Sequence, residues 1–324
     1  MAEEAPINVR IFSLIGVFKQ TFFLVTISKK EVLMSIKIGF IGAGRVGTAL
    51  AVKLKEAGYN VIGVSSRSEE SIRRFIHHVK GTKGFKSPEA LLEEVELIFV
   101  TVPDDVIGEV VASLPWKEGH KVVHASGALS LDVLEGARKR GAEVGSFHPC
   151  QAFATIDQAI NNITGSVFGI EASSEGLRTL LERMALDLGG SYVFVPPEGK
   201  VFYHASAVFA SNYLVALVGV ALKLLDFIGI GKEEGSRLLL PLIWGTLKNI
   251  QNIGLPTCLT GPIARGDITV IKKHLEALGQ KDPQVFKLYA SLGLQTIPIA
   301  LGKGTLSEER AKILKGLFEE ALKA

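Results

Sequence analysis

The chain has 324 residues, and its 36 Lys plus Arg stand against 33 Asp plus Glu for a net charge of +3. That near-balance excludes the concentrated basic surface of a dedicated nucleic-acid binder, and an apolar content of 47% excludes a disordered chain while leaving material for about two domains. Cys150 and Cys258 are the two cysteines; they form neither a disulfide framework nor a metal-ligand spacing, so a cytoplasmic protein without a metal is expected.

At the amino end, Ile7 to Ile27 is apolar but interrupted by Arg10, Lys19 and Gln20, with Glu3 and Glu4 where a basic segment would precede a signal peptide. Neither a signal peptide nor a membrane span is expected there. Met34 opens Met-Ser-Ile-Lys-Ile-Gly-Phe-Ile-Gly. Translation is therefore expected to start at Met34, with 1–33 a separate extension; the alternative is a short amphipathic element docked on the first domain.

Short apolar runs follow at 36–41, 61–64, 97–102, 121–124 and 144–147, alternating with helix-like stretches at 46–57, 68–79, 88–93, 106–113 and 131–140. Two more runs, 167–170 and 192–195, flank a helical stretch at 174–188. The alternation predicts an α/β domain over 34–197, a Rossmann-type doubly wound parallel sheet covered by helices on both faces. After the linker Pro196-Pro197-Glu198-Gly199 the pattern turns helical: 200–225, 232–250, 267–278, 282–299 and 307–322. Residues 198–324 thus read as an all-helical domain for substrate binding and dimerisation. Its Ala205 to Leu225 segment is apolar nearly all round, and no second such segment is expected. The expectation is a central helix completed by a second subunit, a homodimer, rather than a membrane span.

Gly42-Ala43-Gly44-Arg45-Val46-Gly47 directly follows the first strand and opens a helix. Gly42 permits the tight turn, Gly44 admits a pyrophosphate and Gly47 lets helix and strand approach, a dinucleotide-binding turn. An acid usually ends the second strand to hold a ribose 2′-hydroxyl; here Ser65-Ser66-Arg67 stands in its place. Those groups neutralise and hydrogen-bond a 2′-phosphate, so NADP is expected over NAD. Val102 and Pro103 end the third main strand at the same edge and are expected to line the cofactor site.

His124-Ala125-Ser126-Gly127 and Phe147-His148-Pro149 end two further strands at the edge where an open sheet places its ligand. Ser126 either reaches the nicotinamide or substrate, or builds a turn; His148 is either catalytic or satisfied by nearby carbonyls. At about 100° per residue, Lys200, His204, Ser211 and Asn212 fall within an arc of about 120° on an otherwise apolar helix. A polar stripe there needs satisfied partners or a function. In Leu259-Thr260-Gly261-Pro262-Ile263-Ala264-Arg265-Gly266-Asp267, Asp267 is read as a helix cap, and Arg265 either binds a substrate carboxylate or pairs with Asp267.

With its 39–47 turn, the Phe-His-Pro-Cys-Gln-Ala-Phe of 147–153, the Tyr-His-Ala-Ser-Ala-Val-Phe-Ala-Ser-Asn-Tyr of 203–213 and the 259–267 loop, the chain resembles predicted oxidoreductases that join a Rossmann-like domain to a helical domain of unknown function. That group is similar in layout to ketopantoate reductase, pyrroline-5-carboxylate reductase and prephenate dehydrogenase. The resemblance implies a nicotinamide at the sheet edge, a substrate against the helical domain, and helices shared across a dimer. By position, Lys200 and Asn212 resemble the lysine and asparagines of ketopantoate reductases, and His148 and Arg265 the histidine and arginine of prephenate dehydrogenases.

The expected function is NADPH-dependent reduction of a small carbonyl or imine acid, with a 2-oxo acid such as ketopantoate as the first substrate to try. His204 or Lys200 would donate the proton, Asn212 and Ser126 orient the oxygen, and Arg265 hold the carboxylate. The alternatives are a prephenate-like dehydrogenase acting on a hydroxy acid, and a non-catalytic NADP(H)-binding redox sensor.

Overall fold

A computed structural model describes residues 35–324; the expectations for 1–33 and for a start at Met34 lie outside the described residues. The first strands are β1 (Lys37–Ile41), β2 (Asn60–Ser65), β3 (Lys83–Phe85) and β4 (Leu97–Val100). They are followed by β5 (Lys121–His124), β6 (Glu143–Pro149), β7 (Val167–Ala172) and β8 (Ser191–Phe194). Together they form one sheet in the order β3-β2-β1-β4-β5-β6-β7-β8. From β3 to β6 every pairing is parallel, as the alternating pattern predicts, but β7 runs antiparallel to β6, with β8 parallel to β7. The last two strands are therefore a reversed addition rather than a further parallel unit. Strand β3 was not expected, because Lys83-Gly84-Phe85 is too short to show an alternation.

Eight helices belong with this sheet: α1 (Arg45–Glu56), α2 (Glu69–His78), α3 (Pro88–Leu92), α4 (Ile107–Ser113), α5 (Glu135–Arg138), α6 (Ile156–Asn162), α7 (Glu175–Asp187) and α8 (Lys200–Ala210). Sequence position explains their starts. Ser68, Ser87, Thr155 and Ser174 each accept a backbone N–H in the first turn of the helix that follows. One face of the sheet carries a ladder of rings: Phe40 stacks on Phe99 at 5.2 Å, Phe99 tilts against Phe147, and Phe147 stacks on Phe168 at 4.4 Å. Ile98, Val100, Val122 and Val144 build the core of the other face.

The compact units divide between Ser211 and Asn212, downstream of the Pro196–Gly199 linker where the sequence places the boundary. The reason is α8: its Lys200 Nζ donates to Ser146 Oγ on β6 at 2.6 Å, and its Tyr203 meets His148. The expected continuous 200–225 helix is broken at Ser211, whose backbone lies at φ −119° and ψ −67°.

The second unit contains α9 (Asn212–Asp226), α10 (Lys232–Ile253), α11 (Ile268–Lys281), α12 (Pro283–Lys303) and α13 (Glu308–Lys323). Ile271, Ala290, Ile297, Leu314 and Phe318 form a core among the last three, and Asp282 caps α12 while accepting an ion pair from Lys223 at 2.5 Å. Among the described residues, two stretches, 197–226 and 283–303, are long and apolar enough to cross a membrane by length and composition. The second corrects the expectation that no other such segment exists. Its apolar residues Ala290, Ile297 and Ala300 serve the core of this unit, and the first stretch begins with α8, which is tied to the sheet.

Candidate functional site

The glycine turn leaves β1 as expected. Gly42 adopts φ 105°, a left-handed conformation that favours glycine, and its N–H donates to Ser65 O at 2.9 Å. Thr101 Oγ1 donates to Gly42 O at 2.9 Å, and the Thr101 side chain occupies the space that a Cβ on Gly47 would need. Gly47 is thus a packing glycine. A Cβ on Gly44 would meet only Thr101 O, at 3.9 Å. Gly44 caps α1 without any side-chain hydrogen bond, and no acid occupies the first turn. The amino-terminal N–H groups of this helix therefore have no side-chain acceptor, which is the arrangement that receives a pyrophosphate.

They open on a cavity of about 480 Å³ lined by Gly42, Ala43, Gly44, Ser65, Ser66, Arg67, Val102 and Pro103, among others. Eight of the sequence-predicted cofactor residues are thereby brought together. Arg45, Val46 and the packing glycine Gly47 are not. The Arg45 guanidinium donates to Phe153 O and Ala154 O at 3.1 and 2.9 Å, tying down the loop after β6, while Val46 packs against the core. Their roles are anchoring and packing, and only their backbone belongs to the helix terminus. The residues present fit a nicotinamide dinucleotide: an uncapped helix end, a glycine that leaves room, and a β2 end without a carboxylate.

A second cluster sits beside this edge. Parallel and antiparallel registers set His124 opposite Ser146, Ser146 opposite Glu171, and His148 opposite Gly169, and α8 lays Lys200, Tyr203 and His204 onto them. Lys200 is only 2% exposed; besides Ser146 it faces Glu171 Oε2 at 3.4 Å. Burial lowers its pKa against the raising pull of Glu171, and burial raises that of Glu171 against the lowering pull of Lys200. Engaged on both sides and removed from solvent, Lys200 is an anchor of α8, which corrects its reading as a proton donor.

His148 Nδ1 lies 2.8 Å from the Tyr203 hydroxyl. Its pKa is pushed down to about 4, first by burial and then by His204 and Lys200. Burial, reinforced by Cys150 at hydrogen-bonding distance, raises the Tyr203 phenol well above its ordinary value. Gly169 is required beneath it, since a Cβ there would lie 2.7 Å from the hydroxyl. The His204 ring stands 6.5 Å from that of His148, and its Nδ1 is buried without a hydrogen-bond partner. His124, fully buried, is held down to about 3 by burial, then by Lys200 and His148. Among the described residues, no three His, Cys, Asp or Glu side chains converge as a metal site.

Ser126 resolves as the turn builder. Its hydroxyl donates to Asp104 Oδ2 at 2.6 Å and accepts from the N–H groups of Ala128 and Leu129 at 3.2 Å each. This leaves no donor for a substrate oxygen and corrects its orienting role. Asn212 and Arg265 belong to the second unit. Because the helix breaks at Ser211, the wheel that aligned Asn212 with His204 does not carry across. Asp267 Oδ1 accepts the Val270 N–H at 3.1 Å, a cap as expected, and no ion pair joins it to Arg265. Arg265 instead lines an open depression of about 340 Å³ with Arg310, which donates to Gly266 O.

Sequence reasoning missed Tyr203, Ser146, Glu171 and Gly169 as site residues. Tyr203 adjoins His204 and so lay within a motif already singled out. The other three are fixed only by the β6–β7 register, for which the sequence carries no signal.

Two domain families match: a Rossmann-like domain over residues 28–149 and a domain of unknown function, DUF2520, over 166–296. No curated protein matches the sequence. Among solved structures, a candidate NADP oxidoreductase from Bacteroides fragilis is similar at 27% identity, covering 82% of this chain and 99% of its own, with a TM-score of 0.65. A Thermotoga maritima protein is 26% identical over 88% of this chain and 98% of its own, with a TM-score of 0.62. A 1-pyrroline-5-carboxylate reductase from Streptococcus pyogenes, 15% identical over 90% and 99% of the two chains with a TM-score of 0.56, shares the fold. The chain therefore joins a Rossmann-like domain to a DUF2520 domain.

Proposed function

We propose that the protein is an NADPH-dependent reductase of a small carbonyl or imine acid. The observation that carries this reading is the uncapped amino end of α1 at Gly44, facing a cavity whose β2 wall is Ser65-Ser66-Arg67. The naming of the Bacteroides fragilis relative as a candidate NADP oxidoreductase supports it. A bound dinucleotide would supply hydride to the substrate carbon.

The chain's own residues position the substrate oxygen. With its phenol pKa raised, Tyr203 keeps its proton and donates it to Nδ1 of a neutral His148. This tautomer places the remaining N–H on Nε2, in a ring that packs against Gly127 just past β5. His148 would thus orient the substrate oxygen by hydrogen bonding, Tyr203 positions His148, and the proton taken up by the reduced substrate would come from solvent.

We further propose a homodimer. In α10, Leu238, Leu240, Leu242 and Trp244 are all at least half exposed, and successive steps of about 200° put them on different faces. A helix apolar on several sides is covered on several sides, which an exchange of α9 and α10 between two copies provides. The reaction test is NADPH oxidation, followed by absorbance, against 2-oxo acids including ketopantoate and against cyclic imines, with NADH as control. Turnover of one such acid with NADPH is expected. Equal rates with NADH overturn the cofactor assignment, and tight NADPH binding with no turnover of any acid favours the redox-sensor reading.

A further inference from the structure

We infer that Arg74 and Lys86 complete, with Arg67, the site of the dinucleotide 2′-phosphate, an assignment that rests on the cofactor reading above. Strands β2 and β3 run parallel with Ser65 opposite Phe85. The residues leaving them, Ser66-Arg67 and Lys86-Ser87, therefore emerge side by side at the carboxyl edge. Helix α2 adds Arg74, whose guanidinium donates to Ser71 Oγ at 3.3 Å and so turns back toward the amino end of the helix. Arg67, Arg74 and Lys86 all line the same cavity, together with Ser71 and Ser87.

Charge pairing separates these cations from their neighbours. Arg73, adjacent to Arg74, pairs with Glu69 at 3.5 Å, and Lys83, three residues before Lys86, pairs with Glu94. Among the described residues no salt bridge joins Arg67, Arg74 or Lys86 to a carboxylate. Among the described residues, Glu109 of α4 is the one carboxylate lining the cavity, and it pairs with none of the three. Three unpaired cations on one wall repel one another, and a multivalent anion relieves that repulsion. A phosphate monoester carries a charge of about −1.5 to −2 at pH 7 and three strong acceptor oxygens, which suits two guanidinium forks and an ammonium. Ser87 Oγ accepts the Ala90 N–H at 3.3 Å and its O–H serves the Glu89 carboxylate, so the phosphate is left to the three cations. Selectivity for the phosphorylated cofactor is thus spread over three elements, with β3 as the strand that delivers Lys86.

Calorimetric titration of the full chain with 2′,5′-ADP, 5′-AMP and inorganic phosphate tests this without any substrate. The intact protein should bind 2′,5′-ADP at least about tenfold more tightly than 5′-AMP, and inorganic phosphate only weakly. Arg74→Ala and Lys86→Ala should each weaken 2′,5′-ADP by about tenfold while changing 5′-AMP by less than about twofold, and Arg73→Ala should change neither. If both variants keep the original 2′,5′-ADP to 5′-AMP ratio, the assignment fails and the Arg67 reading stands. If the intact protein shows no preference for 2′,5′-ADP, both fail together.

Discussion

Replacing Lys200 by Met removes the cation of a buried pair and leaves the Glu171 carboxylate, only 10% exposed, without its partner. Breaking a buried pair from one side costs about 3–5 kcal/mol. At about 2–4 °C per kcal/mol for a domain of this size, the melting temperature should fall by about 6–20 °C at pH 8. The pH dependence has a definite sign. Burial raises the Glu171 pKa in the folded state, and Lys200 is the largest influence opposing it. Without Lys200 the folded pKa rises further, so the penalty appears as pH climbs above the ordinary carboxylate range and fades where Glu171 takes up a proton. Melts followed by circular dichroism at pH 5 and pH 8 should show the smaller loss at pH 5. Adding Glu171→Gln to Lys200→Met should restore about 2 kcal/mol of the loss at pH 8, because the orphaned charge is gone. Equal losses at the two pH values, or a double variant no more stable than Lys200→Met, would refute the assignment of Lys200 as a buried anchor.

Tyr203→Phe should lower kcat by about 10–100-fold with little change in NADPH affinity, since it removes the hydroxyl that orients His148; steady-state kinetics with direct cofactor titration separates the two. His148 and His124 have folded pKa values of about 4 and about 3. The unfolded chain therefore binds their protons first, and stability should drop as pH falls from about 6.5 towards 4. Denaturant midpoints across that window check this, and His148→Gln should flatten the slope. Gly47→Ala forces aside the Thr101 side chain beneath the turn and should weaken NADPH by about 5–150-fold, the equivalent of 1–3 kcal/mol of overpacking, as read by fluorescence titration. Leu242→Glu, at a side chain 66% exposed, should convert the dimer to monomer in light scattering, whereas an unchanged mass would count against the dimer.

How far the sequence carried the reading depended on whether a feature was local. The β1 turn was legible because Gly42, Gly44 and Gly47 act within one strand–helix junction, and the missing acid after β2 could be read at Ser65-Ser66-Arg67 in the same way. Helix starts were legible for the same reason, each cap lying next to the turn it serves. Strand β3 and the reversal at β7 were not, because three residues show no period and direction is set by the long connection through α6. The break at Ser211 was equally silent, since apolar residues dominate on both sides of it from Ala205 to Leu225. The Arg74 and Lys86 wall needed that unread β3.

The polar stripe of α8 shows what local reading can and cannot decide. A polar group on a helix that packs into a protein interior must be satisfied, and both a structural bond and a ligand satisfy it. The wheel identified the right face but could not tell the two apart, because the answer lies on β6 and β7. There Ser146 and Glu171 consume Lys200, so its polarity is structural. One turn further along, Tyr203 meets His148, whose ring packs against Gly127, and His204 keeps a buried nitrogen with no protein partner. A single helix thus anchors itself through Lys200 and carries Tyr203 and His204 up to His148, and the spacing of three to four residues keeps all three on the side facing the sheet.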